Sequence, residues 1–305
     1  VTIPILGIDI GGTNTKFSLV THEGEVLGVH KFHTNANEPF ESFFQNLKLN
    51  LEPVLQSYQL KSSDLKVGVG CPNYSSVQNK LINPPNLKWE NASFFEIFNK
   101  EFKQVIVEND ANAAALGEFR WGKAINCQNF ATLTVGTGIG SGIFLRGKLI
   151  RGPHGLAGEA GHLVLAPGGR KCSCGGLGHF ESYCSVTGIK KSYFELTGQN
   201  LSYREIVPLY KQDDLDVLTV YESTAEYFAI GISHMVTLLG LEKIILTGGG
   251  MVVGKKFLEI IKSKLERYIF PNLRGTFSIE LSELALTEGA VLGAAALIME
   301  SIDGN

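Results

Sequence analysis

Three times in this chain a short apolar run ends in a cluster of glycines. Ile5–Ile10 leads into Gly11 and Gly12, Phe130–Val135 into Gly136, Gly138, Gly140 and Gly142, and residues 243–246 into Gly248, Gly249 and Gly250. Glycine at such places lets backbone N–H groups turn toward one point and lets a ligand approach the chain closely. Glycine makes up 35 of 305 residues, against an ordinary share of about 7%. Only 10 prolines accompany it, without a collagen-like period, so the excess belongs in tight loops. A plain turn is the simpler reading of any one cluster. Their joint occurrence with Asp9, Thr13 and Thr137 argues for a ligand.

The rest of the composition narrows the class. At 305 residues the chain exceeds one core of ordinary size, so two lobes are expected. A 44% hydrophobic and 19% charged content excludes a disordered or coiled-coil protein. The net charge of −3 gives no basic excess for nucleic acid or anionic lipid. No stretch approaches the ~18 apolar residues of a membrane span, and no basic segment followed by an apolar run opens the chain. The five cysteines are an odd number, and Cys172-Ser-Cys174 suits a metal better than a disulfide framework. A reducing cytoplasm is therefore expected.

Along the chain, residues 16–20 and 25–32 continue the opening strand as a β meander. Residues 40–58 carry Phe40, Phe43, Phe44, Leu47, Leu51, Val54 and Leu55 at helical spacing. Residues 65–70 and Gln104–Glu108 read as strands, and a helix follows from Ala111 with Asp110 at its N-cap position. The Phe130 segment repeats the β-turn-β idea of the first. Residues 152–178 read as irregular, 219–239 as a helix, 243–246 as a buried strand, and 286–299 as an alanine-rich closing helix.

Neither the P-loop pattern nor Gly-x-Gly-x-x-Gly is present, so the glycines belong to neither of those nucleotide folds. Asp110 follows a strand and opens a helix. It is either a simple N-cap or a carboxylate at the ligand-binding end of the strands, able to take a proton from an attacking hydroxyl. Asn109 beside it offers a donor and an acceptor. His162, Cys172, Cys174 and His179 form a complete tetrahedral set for structural zinc.

The segment Asp9-Ile-Gly-Gly-Thr-Asn-Thr-Lys16 resembles the first phosphate motif of the sugar kinase/actin/Hsp70 fold. The stretch from Gly136 resembles its second phosphate motif, and Leu246-Thr-Gly-Gly-Gly its adenosine motif. Together with Gly161-His162 and Cys172-Ser-Cys174-Gly-Gly-Leu-Gly, these make the chain similar to the ROK family (repressors, open reading frames and kinases), and most like its bacterial-type glucokinases. The resemblance runs from Asp9 to the helix after Glu288. It implies an α/β, two-lobed, ribonuclease H-like fold with a central cleft. The small N-terminal lobe would be residues 1–120 joined by the terminal helix 286–305, and the large lobe residues 121–285.

The resemblance also implies roles. Asp110 would be the general base on the 6-hydroxyl of a hexose, with Asn73, Asn109, Glu159, His162 and Glu181 contacting the sugar. Asp9, Gly11, Gly12, Thr13, Lys16, Gly136, Thr137, Gly138, Gly140, Gly248, Gly249 and Gly250 would bind ATP, with magnesium held through Asp9. Lys16 reads otherwise as a solvated strand residue. Zinc on His162, Cys172, Cys174 and His179 would be structural, fixing the His162 tautomer toward sugar. The expected reaction is ATP-dependent phosphorylation of glucose by a homodimer or homotetramer.

Two positions depart from the family pattern. His179 stands where a third Cys is usual, and Pro72-Asn73 where Pro-Gly is usual in the first sugar loop. Asn tolerates the left-handed conformation, so the loop can survive, but its side chain bears on sugar choice. Kinases of N-acetylmannosamine, N-acetylglucosamine, fructose or allose remain rivals, as does polyphosphate as donor. A non-catalytic sugar sensor or DNA-binding regulator of the same family is disfavoured by the early start of the phosphate strand, by the net charge and by the presence of Asp110.

Overall fold

The computed structural model describes residues 3–82, 87–89, 93–284 and 288–303. They fall into two units, one of Val1–Ile125, Arg151–Ala157 and Leu284–Asn305, the other of Asn126–Ile150 and Gly158–Glu283. In the first unit the Gly11-Gly12 turn folds Ile5–Ile10 (β1) back on Asn14–Val20 (β2), with Asp9 opposite Lys16. His30–His33 (β3) pairs antiparallel with β2, and Lys66–Gly70 (β4) pairs parallel with β1. A two-residue ladder of Tyr74–Ser75 (β5) and Lys80–Leu81 (β6) precedes Gln104–Glu108 (β7), which runs parallel to β4. The sheet order is β3-β2-β1-β4-β7.

The expected strand over 25–32 is shorter than its pattern suggested. Gly24 and Gly28 take positive φ and turn the chain, leaving one isolated bridge at Val26 before β3. Phe40–Ser57 (α1) buries all seven residues named by its spacing. Phe94–Phe98 (α2) packs on it, with the Phe94 ring 4.5 Å from Phe40 and the Phe98 ring 4.8 Å from Phe44. Asp110–Trp121 (α3) and the terminal helix Gly289–Asp303 complete the unit. The first two residues of the expected 286–299 helix lie outside the described residues. A Cβ at Gly68 in β4 would overlap the Ala294 carbonyl, so a bare backbone is what lets the terminal helix lie on the sheet.

The second unit repeats the plan. Phe130–Val135 (β8) and Ile139–Leu145 (β9) form an antiparallel hairpin, extended by Lys148–Leu149 (β10). Lys243–Thr247 (β11) and Ser278–Leu281 (β12) add in parallel, giving the order β10-β9-β8-β11-β12. Both sheets therefore have a hairpin leading into parallel strands, as the expected fold class requires. Around this sheet lie Glu181–Cys184 (α4), Val186–Thr197 (α5), Tyr203–Lys211 (α6), Leu215–Leu239 (α7) and Lys255–Leu265 (α8). Helix α7 starts four residues before the expected 219, because Asp214 caps it by accepting from the Val217 N–H at 3.0 Å. Tyr221, Phe228 and Ile232 on its inner face are fully buried. Among the described residues no helix is long and apolar enough to cross a membrane.

Candidate functional site

In the first unit, β1, β4 and β7 are parallel neighbours, so their carboxyl ends emerge side by side. Asp9 stands opposite Gly70, and Gly70 opposite Glu108. A Cβ placed on Gly70 would lie 3.6 Å from the Asp110 Cα, so Asp110 rests directly over the end of β4. Enclosure pushes the Asp9 carboxyl up to about 6, the Asp110 charge pushes the same way, and Lys16 opposes both. Desolvation by its packed side also raises Asp110, although its side chain keeps an open face to solvent, while the Ala111 N–H pulls the other way. Burial raises the Cys71 thiol beside them.

The N-cap of α3 is Asn109 rather than Asp110. The Asn109 Oδ1 accepts from the N–H of Ala111 at 2.9 Å and of Asn112 at 3.3 Å, and Asp110 is the first helical residue. With the cap supplied by its neighbour, the Asp110 carboxylate is not needed to close the helix; one oxygen accepts locally from Ala111 at 2.9 Å. Asn73 is exposed and takes φ +57°, the left-handed conformation a glycine would supply, while its carbonyl accepts from Ile82 N–H at 2.8 Å.

The tip of the β1–β2 hairpin is braced by Thr34, whose hydroxyl donates to the Gly11 carbonyl at 2.7 Å and whose N–H donates to the Thr13 carbonyl at 3.0 Å. Gly12 lies in the same turn, and Thr13 is exposed at its tip. In the second unit the β8–β9 tip is braced in the same way. Val186 N–H donates to the Gly136 carbonyl at 2.9 Å, and the Thr187 hydroxyl donates to the Thr137 carbonyl at 2.8 Å. Thr137 is exposed, and Gly140 lies on β9 opposite Thr134. After β11, Gly248, Gly249 and Gly250 form the third loop. The Tyr203 hydroxyl donates to the Gly250 carbonyl at 2.7 Å and in turn receives from Tyr221 at 3.0 Å. Sequence reasoning passed over Thr34, Thr187 and Tyr203, because each acts through a contact remote in the chain.

His162, Cys172, Cys174 and His179 come together, with their ligand atoms all within 4.8 Å of one another. Cys172 Sγ lies 3.8 Å from His162 Nδ1, and Cys174 Sγ 3.2 Å from His179 Nδ1. Two thiols and two imidazoles at these separations fit a tetrahedral thiophilic ion. The loop is tied down by bridges from Val164 to His179 and from Lys171 to Leu177. Glu159 is exposed just before the turn that carries His162. Glu181 opens α4, and its Oε1 accepts from Cys172 Sγ and Ser173 Oγ, each at 2.9 Å. A Cβ on Gly138 would lie 2.6 Å from the Glu181 Oε2, so the second hairpin tip and Glu181 share one place in this unit. The first unit thus gathers Asp9, Lys16, Asn109 and Asp110; the second gathers the other two glycine loops, the metal set and Glu181.

The ROK family model matches residues 5–301. The chain belongs to the ROK family. A curated glucokinase of Halalkalibacterium halodurans is 30% identical over 94% of this chain and 93% of its own length. The xylose repressor of Bacillus spizizenii is 27% identical over 97% of this chain but 77% of its own length. A ROK family glucokinase from Streptomyces griseus, crystallised with glucose and AMPPNP, superposes with a TM-score of 0.82 at 25% identity, over 95% of this chain and 98% of that one. The ROK fold of this chain is that of the sugar kinase/actin/Hsp70 class.

Proposed function

We propose that this ROK protein transfers the terminal phosphoryl group of ATP to the 6-hydroxyl of a hexose, with glucose as the preferred sugar. The observation that carries this reading is Asp110, an open carboxylate set over the end of β4 beside a second enclosed carboxylate, Asp9. Asp110 accepts the hydroxyl proton, and its raised pKa matches a base that must bind that proton as the new bond forms. Because phosphoryl transfer is loose and the hydroxyl sheds its proton late, the main task of Asp110 is to orient the attacking oxygen. Asn109 spends its Oδ1 on the helix cap and so offers its amide NH₂ to a neighbouring sugar hydroxyl. Glu159, His162 and Glu181 accept or donate at other sugar hydroxyls, and Asn73 lies in the first sugar loop that the family resemblance implies.

Asp9 would hold magnesium, a reading its enclosed carboxylate supports because a divalent cation relieves that cost; bound with ATP, the ion would supply charge neutralisation on the phosphates. The exposed hairpin tips at Thr13 and Thr137 offer N–H and hydroxyl donors to phosphate, and the Gly248 loop receives the adenosine. His162, Cys172, Cys174 and His179 would hold zinc as a structural ion. The glucokinase relatives favour glucose, and the repressor relatives make a sugar-binding regulator the competing reading. Turnover of bound sugar decides between them, and Asp110→Asn tests the base: phosphorylation should fall by at least about 1,000-fold, with sugar binding still measurable by calorimetry. A variant with near-normal turnover overturns the base assignment.

A further inference from the structure

The carboxylate just before the Asn109–Asp110 pair accepts four hydrogen bonds. Glu108 is 1% exposed. Its Oε1 accepts from the Asn109 N–H at 2.9 Å and from the Asn112 amide at 3.2 Å. Its Oε2 accepts from Arg151 Nε at 2.6 Å and from the Ser76 hydroxyl at 2.8 Å. Arg151 spans onward to Glu300 of the terminal helix at 3.0 Å. One buried carboxylate therefore joins the first turn of α3, the loop after β5, the returning segment Arg151–Ala157 and, through Arg151, the terminal helix.

That arrangement is expensive as mere scaffolding. Replacing a buried ion pair by apolar side chains of similar volume is often neutral or even stabilising, so a carboxylate as enclosed as Glu108 points to a geometry it holds. Asn112 adds to the cost, since its Oδ1 is buried without a partner while its amide serves Glu108. The same returning segment is pinned a second time, where Ser75 Oγ and Gln78 Nε2 donate to the His154 carbonyl at 2.9 and 3.0 Å. Asn73 stands two residues before this pinned stretch, and Glu159 follows the segment by two residues in sequence.

We infer that Glu108 is a positioning residue: it holds the Asn109–Asp110 turn in place from beneath, and Arg151 holds Glu108. The inference rests on the proposed role of Asp110 as base. Glu108→Gln keeps the shape but has one acceptor oxygen, so its NH₂ must face either the Asn109 N–H or the Arg151 and Ser76 donors. The link between the turn and Arg151 is then broken on one side or the other. Loosening a base costs rate rather than ground-state affinity.

The test measures kcat and KM for glucose and for ATP, with binding-competent protein counted by glucose calorimetry. Glu108→Gln and Arg151→Met should each lower kcat per competent site by at least about 10-fold, with both KM values within about 3-fold of the parent. Arg151→Lys, which keeps the charge opposite Glu108, should recover most of the lost kcat. If Glu108→Gln does not fold, the two Arg151 variants carry the comparison. A kcat within about 2-fold of the parent for Arg151→Met, or equal kcat for Met and Lys at that position, overturns the inference. Asp110→Asn run alongside separates the cases. If it is dead while the Arg151 variants match the parent, only the positioning role fails; if it turns over, the base reading fails on its own.

Discussion

Asp9 shows at the scale of one residue how a site can be bought with stability. Its carboxyl sits at about 6 in the fold against 3.8 when free, with enclosure first and Asp110 second as causes. Between those two values the folded chain holds a proton that the unfolded chain has lost. Stability from this group is therefore highest below pH 3.8 and declines as pH rises to 6, beyond which the ionised form bears the full cost. Asp9→Asn removes the titration. Without nucleotide or divalent cation, it should melt higher than the parent above pH 6, with the gap closing by about pH 4. A gap that does not change with pH would show that the carboxylate is relieved in the fold. At His179 the question is charge on the metal. Two thiolates and two neutral imidazoles make a neutral zinc site, whereas three thiolates carry one negative charge. The parent should contain about one zinc per chain by metal analysis. His179→Cys should slow zinc release to a chromophoric chelator, and faster release would count against His179 as a ligand.

At the scale of the element, the terminal helix lies on the first sheet because that sheet has no side chain where the helix crosses. A Cβ at Gly68 would overlap the Ala294 carbonyl, and one at Gly7 the Val291 carbonyl. Neither obstacle is the flexible end of a side chain, so the backbone itself must shift. Gly68→Ala should lower the unfolding free energy by about 3 kcal/mol or more, read from the denaturant midpoint. A loss near zero would mean that the helix slides without cost. The two hairpins and α1 were legible in the sequence because their signals are local: glycine after an apolar run, and apolar residues at helical spacing. Helix α6 carried a local signal too, the capping box of Ser202 and Glu205, and α8 the spacing of Phe257, Leu258, Ile261 and Leu265. Lysines at both ends of α8 and the proline inside α6 obscured them. The Asn109 cap was misassigned by one residue because Asn and Asp cap helices equally well, and only geometry tells which one does. The Glu108–Arg151 pair, 43 residues apart, leaves no periodic trace at all.

At the scale of the whole molecule, one connectivity occurs twice, and each copy presents a braced hairpin tip at the end of its sheet. The candidate metal set could be read from spacing because its four residues fall within 18 consecutive positions of one unit, 162–179. Fold alone cannot separate a kinase from a regulator, because the xylose repressor matches 97% of this chain and a glucokinase 94%. What separates them is whether bound sugar is turned over. A sugar that binds only the folded chain stabilises it by about 2.7 kcal/mol at a concentration 100 times its Kd, which is a readable rise in melting temperature. Under the proposed function, each sugar that raises the melting temperature should also be phosphorylated, with ADP released in a coupled assay. Glucose should lead a panel that includes fructose, xylose and the N-acetylated hexosamines. A preference for an N-acetylated hexosamine would keep the chemistry and move the substrate. A regulator would give the opposite pattern, a thermal shift with a sugar but no ADP with any, and Asp110→Asn would then leave nothing to lose.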